Sequence, residues 1–138
     1  IVASALTVTS GLFSETAVNL LIDKAIYKVN LPVGQLFASA VFCNIIVCTG
    51  VCLAYGSKDE IVKIITLWLA ITVFVLSGTE HVVANMYYLF AAKFYGGALS
   101  AKGIIYNLFI SGVGNFIGGG VVVASANYLL AYKTQGQG

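Results

Sequence analysis

Residues 36–55 and 103–132 carry no charged side chain, and each run is long enough to cross the roughly 30 Å hydrocarbon layer of a bilayer as a helix. Between them lies a third apolar region, 61–92, broken at its centre by Ser77, Gly78, Thr79, Glu80 and His81. The pattern predicts a helix interrupted over 77–80. Upstream, Val18, Leu21, Ile22, Ala25 and Ile26 recur at steps of one, three and four residues, while Asp23, Lys24 and Lys28 fall between them. That spacing predicts an amphipathic helix over 16–29 at the membrane surface or along a vestibule. Asn30, Leu31 and Pro32 end it, since the residue before a proline is pushed out of helical geometry. Residues 1–13 are uncharged but too short to cross, and read as the tail of a helix whose beginning is missing. The segments GSKDE (56–60) and KFYGGALSAK (93–102) read as polar turns, and the closing KTQGQG as a tail too polar to pack.

Composition changes the picture in one respect: it removes water as the solvent. The 138 residues are 59% hydrophobic and 9% charged, against about a quarter charged in an ordinary soluble domain. With mean hydropathy of +0.96, the chain reads as an all-α integral membrane protein, multi-pass in the cell membrane. The net charge of +2 comes from seven lysines and five acids scattered along the chain, with no basic block or stripe, which excludes a nucleic-acid partner. Lysines divide four to three between the two sets of loops, so charge does not set the orientation. Cys43, Cys48 and Cys52 lie in one apolar run and read as small apolar side chains. They make no metal site with Glu80 and His81, because a tetrahedral site needs about four convergent ligands and Cys43 faces nearly opposite to Cys52 on a helix. No cofactor is implied.

The candidate chemistry sits in the broken region. A charged group at mid-membrane depth costs roughly 2.5 to 3.5 kcal/mol on insertion scales, so Glu80 and His81 call for a reason to be there. Broken membrane helices are tolerated where the freed backbone faces protein or a water-lined cavity, and their second halves open with unpaired N–H groups suited to an anion. Two readings stand: a pore site, or Glu80 capping the second half-helix with His81 packed as a core histidine. With one histidine and no further acid and base cluster, acyl and phosphoryl transfer have no constellation, and the chain is not read as an enzyme. The run GVGNFIGGG (112–120) lacks the glycine spacing and the preceding strand of a dinucleotide loop. Gly114 and Gly118 instead have the spacing that lets membrane helices approach closely, or soften the helix into a second break. Asn44 and Asn115, lone amides in apolar spans, serve either as interhelical glue or as polar partners of the site. Lys28, from spacing alone, is a solvated charge near a headgroup.

The motif Phe74-Val-Leu-Ser-Gly-Thr-Glu-His-Val-Val-Ala-Asn-Met86, with Gly114-Asn-Phe-Ile-Gly-Gly-Gly120 about thirty residues later, resembles the formate/nitrite transporter family. Its pattern there is an aromatic, then SG-aromatic-EH-x-x-ANM, and later GN-x-x-GG. Asn44-Ile-Ile-Val-Cys48 resembles the family's Asn-x-x-x-Cys segment, so the likeness runs from Lys28 nearly to the end. The resemblance implies the second half of a six-helix, aquaporin-like protomer with a broken central helix, five protomers forming a homopentamer in which each has its own pore. This chain would then be one inverted-repeat half with the end of the preceding helix, unable to form a complete pore alone.

Carried over by motif, the resemblance makes His81 the central pore histidine, Lys28 the vestibule lysine, Asn44 and Asn115 polar partners, and Phe74 a constriction residue. The implied substrates are small monovalent anions of weak acids. Lys28 would raise their local concentration, Phe74 strip hydration, and His81 supply a hydrogen bond or proton. Thr79 stands where formate and nitrite members place Phe or Tyr, and is similar to the hydrosulfide-channel branch. Hydrosulfide is therefore the expected anion, ahead of formate and nitrite. The rival expectation is a non-conducting helical assembly subunit that uses Gly114 and Gly118 for packing alone.

Overall fold

A computed structural model describes residues 1–135 and is helical throughout its regular elements. Helix α1 (Val2–Ser10) ends where Gly11 turns left-handed at φ 61°. Ser14 opens α2 (Glu15–Val29) by accepting the Ala17 N–H on its hydroxyl at 3.4 Å. Pro32 starts α3 (Val33–Gly56), whose 24 residues span about 36 Å at 1.5 Å per residue. Asp59 then caps α4 (Glu60–Leu76), its carboxylate accepting from the N–H groups of Ile61 at 2.8 Å and Val62 at 3.3 Å.

After Leu76 the chain leaves helical geometry and resumes it in α5 (Val82–Phe94). Two local causes end α4. The Ser77 hydroxyl donates back to the Val73 carbonyl at 2.6 Å, and Gly78 takes φ 61°, which side chains resist. Ser100 caps α6 (Ala101–Phe116), which passes without interruption through a π-helical stretch, Ile117–Val123, into α7 (Ala124–Gln135). Glycine-rich sequence at 118–120 thus widens the helix rather than breaking it. Of the polar tail, residues 133–135 continue α7, and 136–138 lie outside the described residues.

Among the described residues two helices are long and apolar enough to cross a membrane, Val33–Gly56 and Ala101–Lys133. They pack tightly through glycine: a Cβ at Gly114 would stand 2.7 Å from the Ala40 Cβ, and one at Gly118 would run into the Val41 carbonyl. Gly50 brings α4 equally close to α3 at Ala70. A small apolar core of Leu21, Ala25, Leu89, Ala92, Leu99 and Ile104 joins α2, α5 and the start of α6. The interruption between α4 and α5 therefore sits where α2, α3 and α6 converge.

Candidate functional site around the helix break

A break inside an apolar layer frees backbone groups, each costing several kcal/mol if left unpaired. Here side chains from two other helices take them. The Glu80 N–H donates to the Ser39 hydroxyl at 3.2 Å, and the Val82 N–H to Asn115 Oδ1 at 2.8 Å. Asn115 Nδ2 donates to the carbonyls of Glu80 at 2.9 Å and Ala40 at 2.8 Å. These partners fix the amide's orientation, since a flipped Asn115 would face two carbonyl oxygens with its own. Asn44 Nδ2 donates to the Asn115 carbonyl at 2.8 Å, tying α3 to α6 one turn above. The cap of α5 thus comes from Asn115; the Glu80 carboxylate has another use.

That carboxylate joins a closed polar ring. Glu80 Oε1 holds the Lys28 ammonium at 2.7 Å, and Oε2 accepts from Asn85 Nδ2 at 2.6 Å. Asn85 Nδ2 also donates to Asn107 Oδ1 at 2.9 Å, and Asn107 Nδ2 returns to the Lys28 carbonyl at 2.8 Å. All four residues are buried, Lys28 at 9% exposure and Glu80 at 3%. The solvated Lys28 suggested by helical spacing is corrected: in the last turn of α2, one residue before its end, it is buried against Glu80, and its charge is neutralised there. Asn85 Oδ1 is buried without a hydrogen-bond partner among the described residues.

Beside the ring opens a cavity of about 240 Å³, lined by Lys24, Tyr27, Lys28, Phe74, Val75, Gly78, Thr79, Glu80, Ala84, Asn85 and Tyr88. Of the seven residues singled out in the sequence, Lys28, Phe74, Thr79 and Glu80 line it. His81 does not. Its ring stands 5.4 Å from the Phe74 ring centre at 59°, so Phe74 touches both the cavity and the imidazole. His81 is half-buried, and its ring nitrogens have no hydrogen-bond partner among the described residues. Thr79 donates to the Phe74 carbonyl at 3.4 Å, so its hydroxyl is held by the break while the residue lines the cavity. Asn44 and Asn115 lie behind the break as its scaffold. Among the described residues no cluster of three His, Cys, Asp or Glu side chains could hold a metal.

Sequence reasoning missed Ser39, Asn85 and Asn107. Asn107 carried the same signal as Asn44 and Asn115, a lone amide in an apolar span. Asn85 stood inside the quoted motif, five residues after Glu80.

Chemically, the arrangement offers a polar cavity in which the Lys28 and Glu80 charges cancel and Lys24 adds one positive charge, an aromatic side chain in its wall, and beside that ring an imidazole without a hydrogen-bond partner among the described residues. Comparison with known proteins gives the family. The chain is 39% identical over 105 residues to the uncharacterized transporter YrhG of Bacillus subtilis, covering 76% of this chain and 39% of that protein. It is 41% identical over 95 residues to a probable formate transporter of Methanothermobacter thermautotrophicus, 69% of this chain and 35% of that protein. Against the formate channel BtFdhC of Bacillus thuringiensis the identity is 36% over 108 residues, 78% of this chain and 41% of the other. A solved FNT family ion channel superposes with TM-score 0.81 at 27% identity, over 93% of this chain and 52% of that one. The chain thus spans about two fifths of these curated relatives and half of the solved structure. Because residues 1–129 match the family described as formate/nitrite transporter, on a fold that the solved channel shares, the chain belongs to the formate/nitrite transporter family.

Proposed function

We propose that the chain forms the second half of a channel protomer for small monovalent anions of weak acids, in a homopentamer whose protomers each hold one pore. The observation that carries this reading is the unpartnered His81 imidazole set against Phe74 at the helix break. An anion stripped of water in a low-dielectric passage meets a large penalty, whereas its conjugate acid does not. A proton passed from a protonated His81 breaks an imidazolium N–H bond and makes the neutral acid of HS⁻, formate or nitrite, which crosses the apolar surface at Phe74 cheaply, and the neutral imidazole left behind takes its next proton from water; a hydrogen bond from a neutral imidazole instead offsets part of the anion's lost hydration. Chloride has no comparable neutral form at neutral pH, so the mechanism selects against it.

The buried pair of Lys28 and Glu80 fits this role by lining the vestibule with polar groups while adding no net charge of its own. Formate is supported as a substrate by the two relatives bearing its name. Hydrosulfide is supported by Thr79, whose short side chain leaves room at a cavity wall where an aromatic ring would stand. We rank hydrosulfide first, with formate and nitrite as further substrates. The test is uptake of HS⁻, formate, nitrite and chloride into proteoliposomes holding the complete gene product. Uptake of the three weak-acid anions, negligible uptake of chloride, and loss of at least tenfold in His81→Ala are the expected results. Equal uptake of chloride, or full activity of His81→Ala, would sink the reading.

A further inference from the structure

Lys28 cannot supply the attraction that brings an anion to this cavity, because its charge is cancelled 2.7 Å away by Glu80. A different cation on the same wall can. Lys24 lies one helical turn earlier on α2, lines the cavity, is exposed, and takes part in no ion pair among the described residues. The charged groups lining the cavity are Lys24, Lys28 and Glu80, so its net positive charge is that of Lys24. Asp23, the adjacent acid, is exposed and does not line it. Two phenols share the wall: Tyr27, largely exposed, and Tyr88, whose ring is 5.9 Å from the Lys28 nitrogen. Neither hydroxyl has a hydrogen-bond partner among the described residues, and each can donate to an anion.

We propose that Lys24, with the hydroxyls of Tyr27 and Tyr88, forms the outer recruitment site for the anion, and that Lys28 serves as the structural counter-charge of Glu80. This assignment rests on the channel reading above. A unit charge about 5 Å from a passing anion in water changes its local concentration by roughly three- to fivefold, and salt removes the effect.

The experiment is uptake of tracer formate, at concentrations far below saturation, into proteoliposomes of the complete gene product. Ionic strength is set with gluconate at about 0.01 M, where the screening length is about 30 Å, and at about 1 M, where it is about 3 Å. Wild-type uptake should fall roughly three- to fivefold between the two, and Lys24→Arg should behave the same. Lys24→Gln should start at the high-salt rate and show no salt dependence. Lys24→Glu should reverse the sign, with uptake rising as salt is added, an outcome that a merely structural role for residue 24 would not produce. A Lys24→Gln or Lys24→Glu protein with the wild-type salt response overturns the assignment while leaving the channel standing. No wild-type uptake above protein-free vesicles overturns the channel reading and this inference with it.

Discussion

Asn115 concentrates more of the break on one side chain than any other residue, since its amide serves the Val82 N–H and two carbonyls. Truncation to alanine leaves all three without that partner in a layer that excludes water. At about 1 to 3 kcal/mol for each buried group, Asn115→Ala should lower stability by about 3 kcal/mol or more. Asn44→Ala, which removes one bond to a carbonyl, should cost about 1 kcal/mol. Thermal unfolding in detergent would rank them; equal losses would show that Asn115 is not the main support. The Lys28 and Glu80 pair makes a second prediction. Lys28→Met leaves a buried carboxylate uncompensated and should cost about 3 to 5 kcal/mol, whereas Lys28→Met combined with Glu80→Gln should cost less than the two single changes summed. Strict additivity would mean that the contact contributes nothing. Glu80, His81 and Asn115 were legible in the sequence because polar groups stand out against an apolar run. What each one touches was not, because hydropathy places a residue at a depth and leaves open which helix faces it. Lys28, read outward from spacing, turns inward for that reason.

At the scale of elements, the interruption in 61–92 was legible to within a residue or two from weak helix formers beside ionisable groups, and the structure ends α4 at Leu76 and resumes helix at Val82. The π-helical stretch was not. Three successive glycines announce softness, but whether the helix breaks or widens depends on the surface it packs against, and here Gly118 lies on the Val41 carbonyl while Gly119 faces Cys48. A glycine against backbone is irreplaceable in a way that one against a flexible side chain is not. Gly118→Ala must push the π-helical stretch from α3 and should cost about 1 to 3 kcal/mol. Gly34→Ala, near the start of α3 with no atom within 4 Å of its added carbon, should be neutral or stabilising by up to about 1 kcal/mol. If both alanines behave alike in thermal unfolding, close approach of the two long helices is not what the glycine provides.

The whole molecule is defined as much by what it leaves uncovered as by its core. Helix α4 has no buried residue, and Ile64, Trp68, Ile71 and Val75 form an exposed stripe at three- and four-residue steps, each more than half exposed. In water such a stripe would drive aggregation; against lipid tails or a neighbouring apolar helix it costs nothing. The family's membrane setting supplies that environment, and the missing burial of α4 follows from it rather than from poor packing. Trp68 lies eight residues past Glu60, about 12 Å along the helix from its charged start, well inside the apolar layer. A charge there should meet the insertion penalty of a mid-membrane site, roughly 2.5 to 3.5 kcal/mol, with no partner to offset it. Trp68→Arg should therefore lower the membrane-inserted fraction of the complete gene product, read as the amount resisting carbonate extraction, while Trp68→Leu should leave it unchanged. An arginine tolerated at position 68 would mean that this face of α4 meets water, and the bilayer placement of the broken helix, together with the depth assigned to Glu80 and His81, would have to be redrawn.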